Sequence, residues 1–180
     1  SLAVNAALTG HLVLSTLHTN SAAGSLPRLI DMKVEPFLIS STINCILAQR
    51  LVRKLCGERE KYFLTGDEIK QLGKEFDLEK MLAILKKEKA VDQKSGWEEI
   101  PFYKAKPSGD CAQGYKGRTG IYEVFEMSPK IKGLIMKSAT ADEIEAAAKE
   151  EGMISMLEDG FIKAAQGITS LEEILRIARE

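Results

Sequence analysis

His11-Leu12-Val13-Leu14-Ser15-Thr16-Leu17-His18-Thr19-Asn20-Ser21 joins a short, nearly continuous apolar run to two residues suited to capping a helix. The run from His11 to Leu17 predicts a parallel strand buried on both faces. Asn20 or Ser21 then caps a helix reaching about Asp31, which gives strand, tight loop and helix, the elementary step of an α/β sheet. Upstream, Ala3-Val-Asn-Ala-Ala-Leu8 reads as the tail of a helix stopped by Gly10. With no initiator methionine and no cap before that helix, the chain is expected to have been cut from something longer. Downstream, Lys33-Val-Glu-Pro36 makes a turn, and Phe37 to about Arg50 reads as a second apolar helix that includes Cys45. Leu51 to Leu55 adds a short strand.

Composition changes near Cys56, where charged residues become dense and long apolar runs stop. Thr65-Gly-Asp-Glu68 has the form of a capping box, and Leu78, Met81, Leu82 and Leu85 are spaced as on a helix, so two small amphipathic helices are expected. Trp97, Phe102, Tyr103 and Tyr115 lie among prolines and glycines in irregular strands and loops, ending in a strand from Thr119 to Phe125. Ser128-Pro129, the boxes Thr140-Ala-Asp-Glu143 and Ser170-Leu-Glu-Glu173, and Gly152 and Gly167 punctuate four short helices expected to form a compact bundle. The divisions expected are 1–55, 56–127 and 128–180. The fold class is α/β, an incomplete sheet followed by a mostly α-helical carboxy-terminal domain with a small irregular β region.

The 180 residues are 44% hydrophobic, enough for one globular domain or part of one with a smaller companion. No stretch approaches the roughly 20 apolar residues of a membrane span, and a cytoplasmic location is expected. Lysine and arginine number 25 against 26 acidic residues, which gives no general attraction to nucleic acid or an anionic membrane. Three widely spaced cysteines outside a secretory context argue against a disulfide framework, so reduced thiols are expected.

His18 is the first candidate for chemistry, because in α/β sheets ligands meet the carboxyl ends of strands and the free N–H groups of the helices that follow. A histidine there can donate a hydrogen bond to a terminal phosphate or orient an attacking water, although a lone histidine at a strand end is more often structural. His11, at a strand entry, is more simply a packed or capping residue. No Gly-x4-Gly-Lys-Ser/Thr phosphate loop occurs. Gly114, Gly117 and Gly120 lead into a strand rather than a helix, which suits a bend or a close backbone approach. Cys56 and Cys111 each lack a partner three residues on, so zinc is not expected. Arg28, Arg50, Arg53 and Arg118 could reach phosphate across a subunit interface, but each reads first as a salt-bridge partner.

Ala6-Ala-Leu-Thr-Gly-His-Leu-Val-Leu-Ser-Thr-Leu-His-Thr-Asn20 resembles the histidine box of the type II secretion and type IV pilus-assembly ATPases. The resemblance continues through Arg28 to Phe37, Leu47 to Cys56, Gly114 to Val124 and Glu151 to Met153, and is weakest over residues 57–110. It implies part of a RecA-like nucleotide core with a smaller carboxy-terminal domain, in a cytoplasmic homo-hexamer that uses ATP and Mg2+ and acts through an inner-membrane platform protein. His18 matches the histidine that approaches the terminal phosphate, and His11 matches the first histidine of the box. The phosphate loop and the acidic magnesium-binding segments would lie upstream, so this stretch is not expected to hydrolyse ATP alone. Many members carry two Cys-x2-Cys pairs that hold zinc. Here one cysteine of each pair remains, and either the metal is lost or residues such as Asp110 substitute. The alternative function is a non-catalytic subunit-interface or platform-docking module.

Overall fold

The structure is a computed structural model that describes residues 2–109 and 111–179. In chain order its elements begin with α1 (Leu2–Leu8), α2 (Ser25–Asp31), α3 (Pro36–Thr42), β1 (Cys45–Leu55) and β2 (Arg59–Tyr62). They continue with α4 (Gly66–Glu75), α5 (Leu78–Lys87), a single 3-10 turn at Trp97–Glu99, β3 (Phe102–Ala105) and β4 (Tyr115–Glu126). Four helices close the chain: α6 (Pro129–Met136), α7 (Ala141–Glu150), α8 (Met156–Ala165) and α9 (Leu171–Ala178). None of the described helices is long and apolar enough to cross a membrane.

Two compact units result, each built from two separate stretches of chain. One combines the chain up to Gln49 with Tyr122–Ser155, and the other combines Arg50–Ile121 with the chain from Met156 onward. The first unit therefore spans the division at 127/128 and the second the one at 55/56, and the four final helices fall to both, α6 and α7 in the first and α8 and α9 in the second. β1 and β4 pair as a two-stranded sheet, and β2 and β3 form another, antiparallel, with Arg59 opposite Ala105 and Tyr62 opposite Phe102.

The first unit closes around Leu26 of α2, Ile39 of α3, Phe125, Ile131 and Ile135 of α6, and Ile144 and Ala148 of α7. α6 starts on Ser128, whose hydroxyl accepts the Ile131 N–H, and α7 starts on the reciprocal Thr140/Glu143 box that the sequence predicts. In the second unit Phe161 of α8 sits edge-on to Phe76 and Trp97, at 5.7 and 6.3 Å between ring centres. The Trp97 Nε1–H donates to the Leu78 carbonyl, so the polar end of that indole is satisfied as well. A side chain at Gly114 would come within 2.7 Å of the Lys106 nitrogen, and φ there is +69°, which accounts for the glycine as a close backbone approach.

Three expectations are corrected. Residues 11–18 do not form a strand: Leu12 and Leu14 are each 88% exposed, and no described strand pairs with them. An apolar run signals a place in a sheet, but the neighbouring strands that bury it must come from elsewhere. The second apolar helix stops at Thr42, and Cys45 begins a strand of 11 residues rather than lying inside a helix. Cys45-Ile-Leu-Ala-Gln-Arg-Leu-Val satisfies apolar templates of both periods, and pairing with β4 decides between them. Cys56 and Cys111 are joined by a disulfide, with Cα atoms 6.7 Å apart, while Cys45 is free. A separation of 55 positions between the two cysteines conceals that proximity in the sequence.

Candidate functional site: the turn after His18

α1 ends in a tight local network. The His11 N–H donates to the Ala6 carbonyl, and its Nδ1 lies 3.3 Å from that same oxygen and 3.1 Å from Thr9 Oγ1. His11 thus closes the carboxyl end of α1, where a proton donor meets the partial negative charge of unpaired carbonyls. His18 stands at the other end of the extended run. It is exposed and leads directly into the turn that precedes α2.

That turn is ordered by its own polar groups and by the core. Thr19 Oγ1 donates to the Ser21 carbonyl and lies 3.3 Å from Ser25 Oγ. Ser21 Oγ accepts the Gly24 N–H at 3.1 Å, and the Ser25 and Leu26 N–H groups donate to the Ala22 and Ala23 carbonyls. α2 begins only at Ser25, with Gly24 in the cap position and no side-chain cap, because Ser21 is occupied inside the turn. The methyl groups of Ala22 and Ala23 are buried. The Ala22 N–H donates to Glu123 Oε1 at 2.5 Å.

These bonds change the chemistry expected of the strand-to-helix junction. A helix start attracts phosphate through N–H groups without partners, and here the Ala22 and Gly24 N–H groups already have them. The His18 side chain, just before this turn, is exposed. Glu123 was not singled out from the sequence, yet a signal was present: within Ile121-Tyr-Glu-Val-Phe125 the alternation puts Glu123 on the same face as Ile121 and Phe125, a carboxylate at an inward position.

The arginines divide between internal and exposed positions. Arg53 bonds Glu173 at 2.5 Å and lies over the Tyr115 ring at 4.1 Å, and Arg50 Nη1 reaches the Ile177 carbonyl, so both are structural within the second unit. Arg28 and Arg118 are exposed. Among the described residues no three His, Cys, Asp or Glu side chains are grouped to hold a metal ion. Asp110 lies outside the described residues.

Comparison with known proteins shows the family. The family described as "Type II/IV secretion system protein" matches residues 1–176. The type II secretion system protein E of Xanthomonas campestris pv. campestris is 44% identical over 180 residues, which are 99% of this chain and 29% of that protein. The type IV pilus assembly ATPase PilB of Pseudomonas aeruginosa is 39% identical over 99% of this chain and 29% of its own length. The type II secretion system ATPase E of Vibrio cholerae is 40% identical over 99% of this chain and 32% of its own length. The chain thus spans about a third of the length of these relatives. A family match over nearly every residue places this chain among the type II/IV secretion system proteins.

Proposed function

We propose that this chain is the carboxy-terminal part of a motor ATPase that powers assembly of a type II secretion pseudopilus or a type IV pilus, and that His18 is its contribution to the nucleotide site. The observation that carries the proposal is the placement of His18, exposed at the end of the 11–18 run and followed by a turn whose Ala22 and Gly24 N–H groups are already bonded. The names of the relatives, which include ATPases of both systems, support it. In this reading the His18 imidazole donates a hydrogen bond to a terminal phosphate oxygen, or orients the attacking water, while the remainder of a RecA-like core grips the other phosphates. His11 has a positioning role, since it ties the start of the run to α1.

The magnesium ion that accompanies ATP finds no fitting donor set among the described residues, because no cluster of carboxylates or imidazoles is present and Glu123 is committed to the Ala22 N–H. The full motor works as a cytoplasmic homo-hexamer docked on an inner-membrane platform protein.

Two measurements test the proposal. Calorimetric titration of Mg-ATP into the 180-residue chain is expected to give no saturable heat, and micromolar binding that His18→Ala abolishes would place a complete nucleotide site in this segment and overturn the division of labour. In the full-length gene product, His18→Ala is expected to lower turnover about 100-fold or more. Unchanged turnover would favour the non-catalytic docking role.

A further inference from the structure

We propose that Glu123 is a positioning residue for His18, its carboxylate holding the 19–25 turn and thereby fixing where the imidazole stands. This inference rests on the role of His18 proposed above. Glu123 sits on the inward face of β4 and is only 7% exposed. Removing a carboxylate from water is costly unless hydrogen bonds compensate it, and a charge-assisted bond to a backbone N–H is among the stronger ones available. Glu123 makes such a bond to Ala22, 101 residues earlier in the chain.

The bond acts on a segment that has little freedom left. The Ala22 and Ala23 methyl groups face the first unit's core, so the turn is clamped by packing on one side and by the carboxylate on the other. The restraint reaches His18 through Ser21, whose carbonyl accepts the Thr19 hydroxyl, and through Thr19, the residue next to His18. The same carboxylate takes up an N–H that a phosphate would otherwise compete for. It thereby leaves the imidazole, rather than the backbone, as the group presented to a ligand.

The test uses the full-length gene product, with steady-state ATP turnover and hydrogen exchange of the peptide spanning Thr19 to Gly24. Glu123→Ala is expected to lower kcat on the order of 100-fold with KM for ATP within about threefold, as misplacement of a reacting group does. Exchange in that peptide should accelerate. Glu123→Gln keeps an acceptor oxygen and is expected to recover most of the rate. Glu123→Asp keeps the charge but falls one methylene short, and it decides the matter should the alanine variant not fold: kcat about tenfold lower or more supports positioning, and wild-type kcat overturns it. If Glu123 acts through His18, the double variant His18→Ala/Glu123→Ala is no slower than His18→Ala alone, whereas losses that multiply would show independent action. Unchanged exchange at Thr19 to Gly24 in folded Glu123→Ala also overturns the inference. Wild-type turnover in His18→Ala defeats the role of His18 and this extension with it. An inactive His18→Ala beside a fully active Glu123→Asp defeats only the extension.

Discussion

Glu173 shows how a local motif is redirected by a distant partner. Ser170 accepts the Glu173 N–H and caps α9, as Ser170-Leu-Glu-Glu173 predicts, but the Glu173 side chain does not return to close the box. It is 1% exposed and bonds instead to the guanidinium and N–H of Arg53 on β1. Burial alone pushes this carboxyl up, but the hydrogen bonds from Arg53 and Arg176 outweigh it and bring the pKa down to about 2. A depressed carboxyl contributes stability that is complete above its unfolded pKa, near 4.5, and is lost as pH falls through its folded value near 2. Because Arg53 is 43% exposed, solvent screening limits that contribution to about 1–2 kcal/mol. Glu173→Gln should lower the unfolding free energy by about that amount at pH 7 and converge with the wild type as the pH approaches 2. Denaturant titrations followed by Trp97 fluorescence check this, and an equal deficit at pH 7 and pH 2 would show that packing, not charge, is responsible.

At the scale of elements, helix starts were far more legible than strands. Thr65 with Glu68 and Thr140 with Glu143 close both halves of their boxes because each partner lies three residues away, within one turn. Strands depend on partners that local sequence does not contain. Cys45–Leu55 looked helical over its first half until its pairing with β4 was known, and the 11–18 run looked like a buried strand although Leu12 and Leu14 face water. The exposed leucines make a direct prediction. Leu14→Ser should change the thermal stability of this chain by no more than about 0.5 kcal/mol, as at other exposed sites, whereas a strand buried on both faces would lose several times that. A thermal melt of the two proteins distinguishes these outcomes. The candidate site was legible to the same degree: His18 was found from its place after an apolar run, but Glu123 acquires meaning only through Ala22.

For the molecule as a whole, the Cys56–Cys111 disulfide is the feature with the largest expected effect on stability. It closes a loop of 55 residues that holds β2, α4, α5 and β3, and restricting the unfolded chain over that span is worth about 4 kcal/mol. Adding reductant is expected to lower the denaturation midpoint reported by Trp97 and to leave it where a Cys56→Ser variant stands. A midpoint indifferent to reductant would mean that the bond carries no such constraint. The two units are each assembled from two segments separated along the chain, from Gln49 to Tyr122 in the first and from Ile121 to Met156 in the second, which no reading of composition along the chain could reveal. The sequence by itself determined the family, the helix boundaries set by caps and prolines, and the candidacy of His18, because each is encoded within a few neighbouring residues. Only the tertiary structure decided which apolar runs become strands, that Cys56 meets Cys111, and that Glu123 holds the turn after His18. All three are contacts between residues 55 to 101 positions apart, or pairings across similar distances, and short-range periodicity carries no record of them.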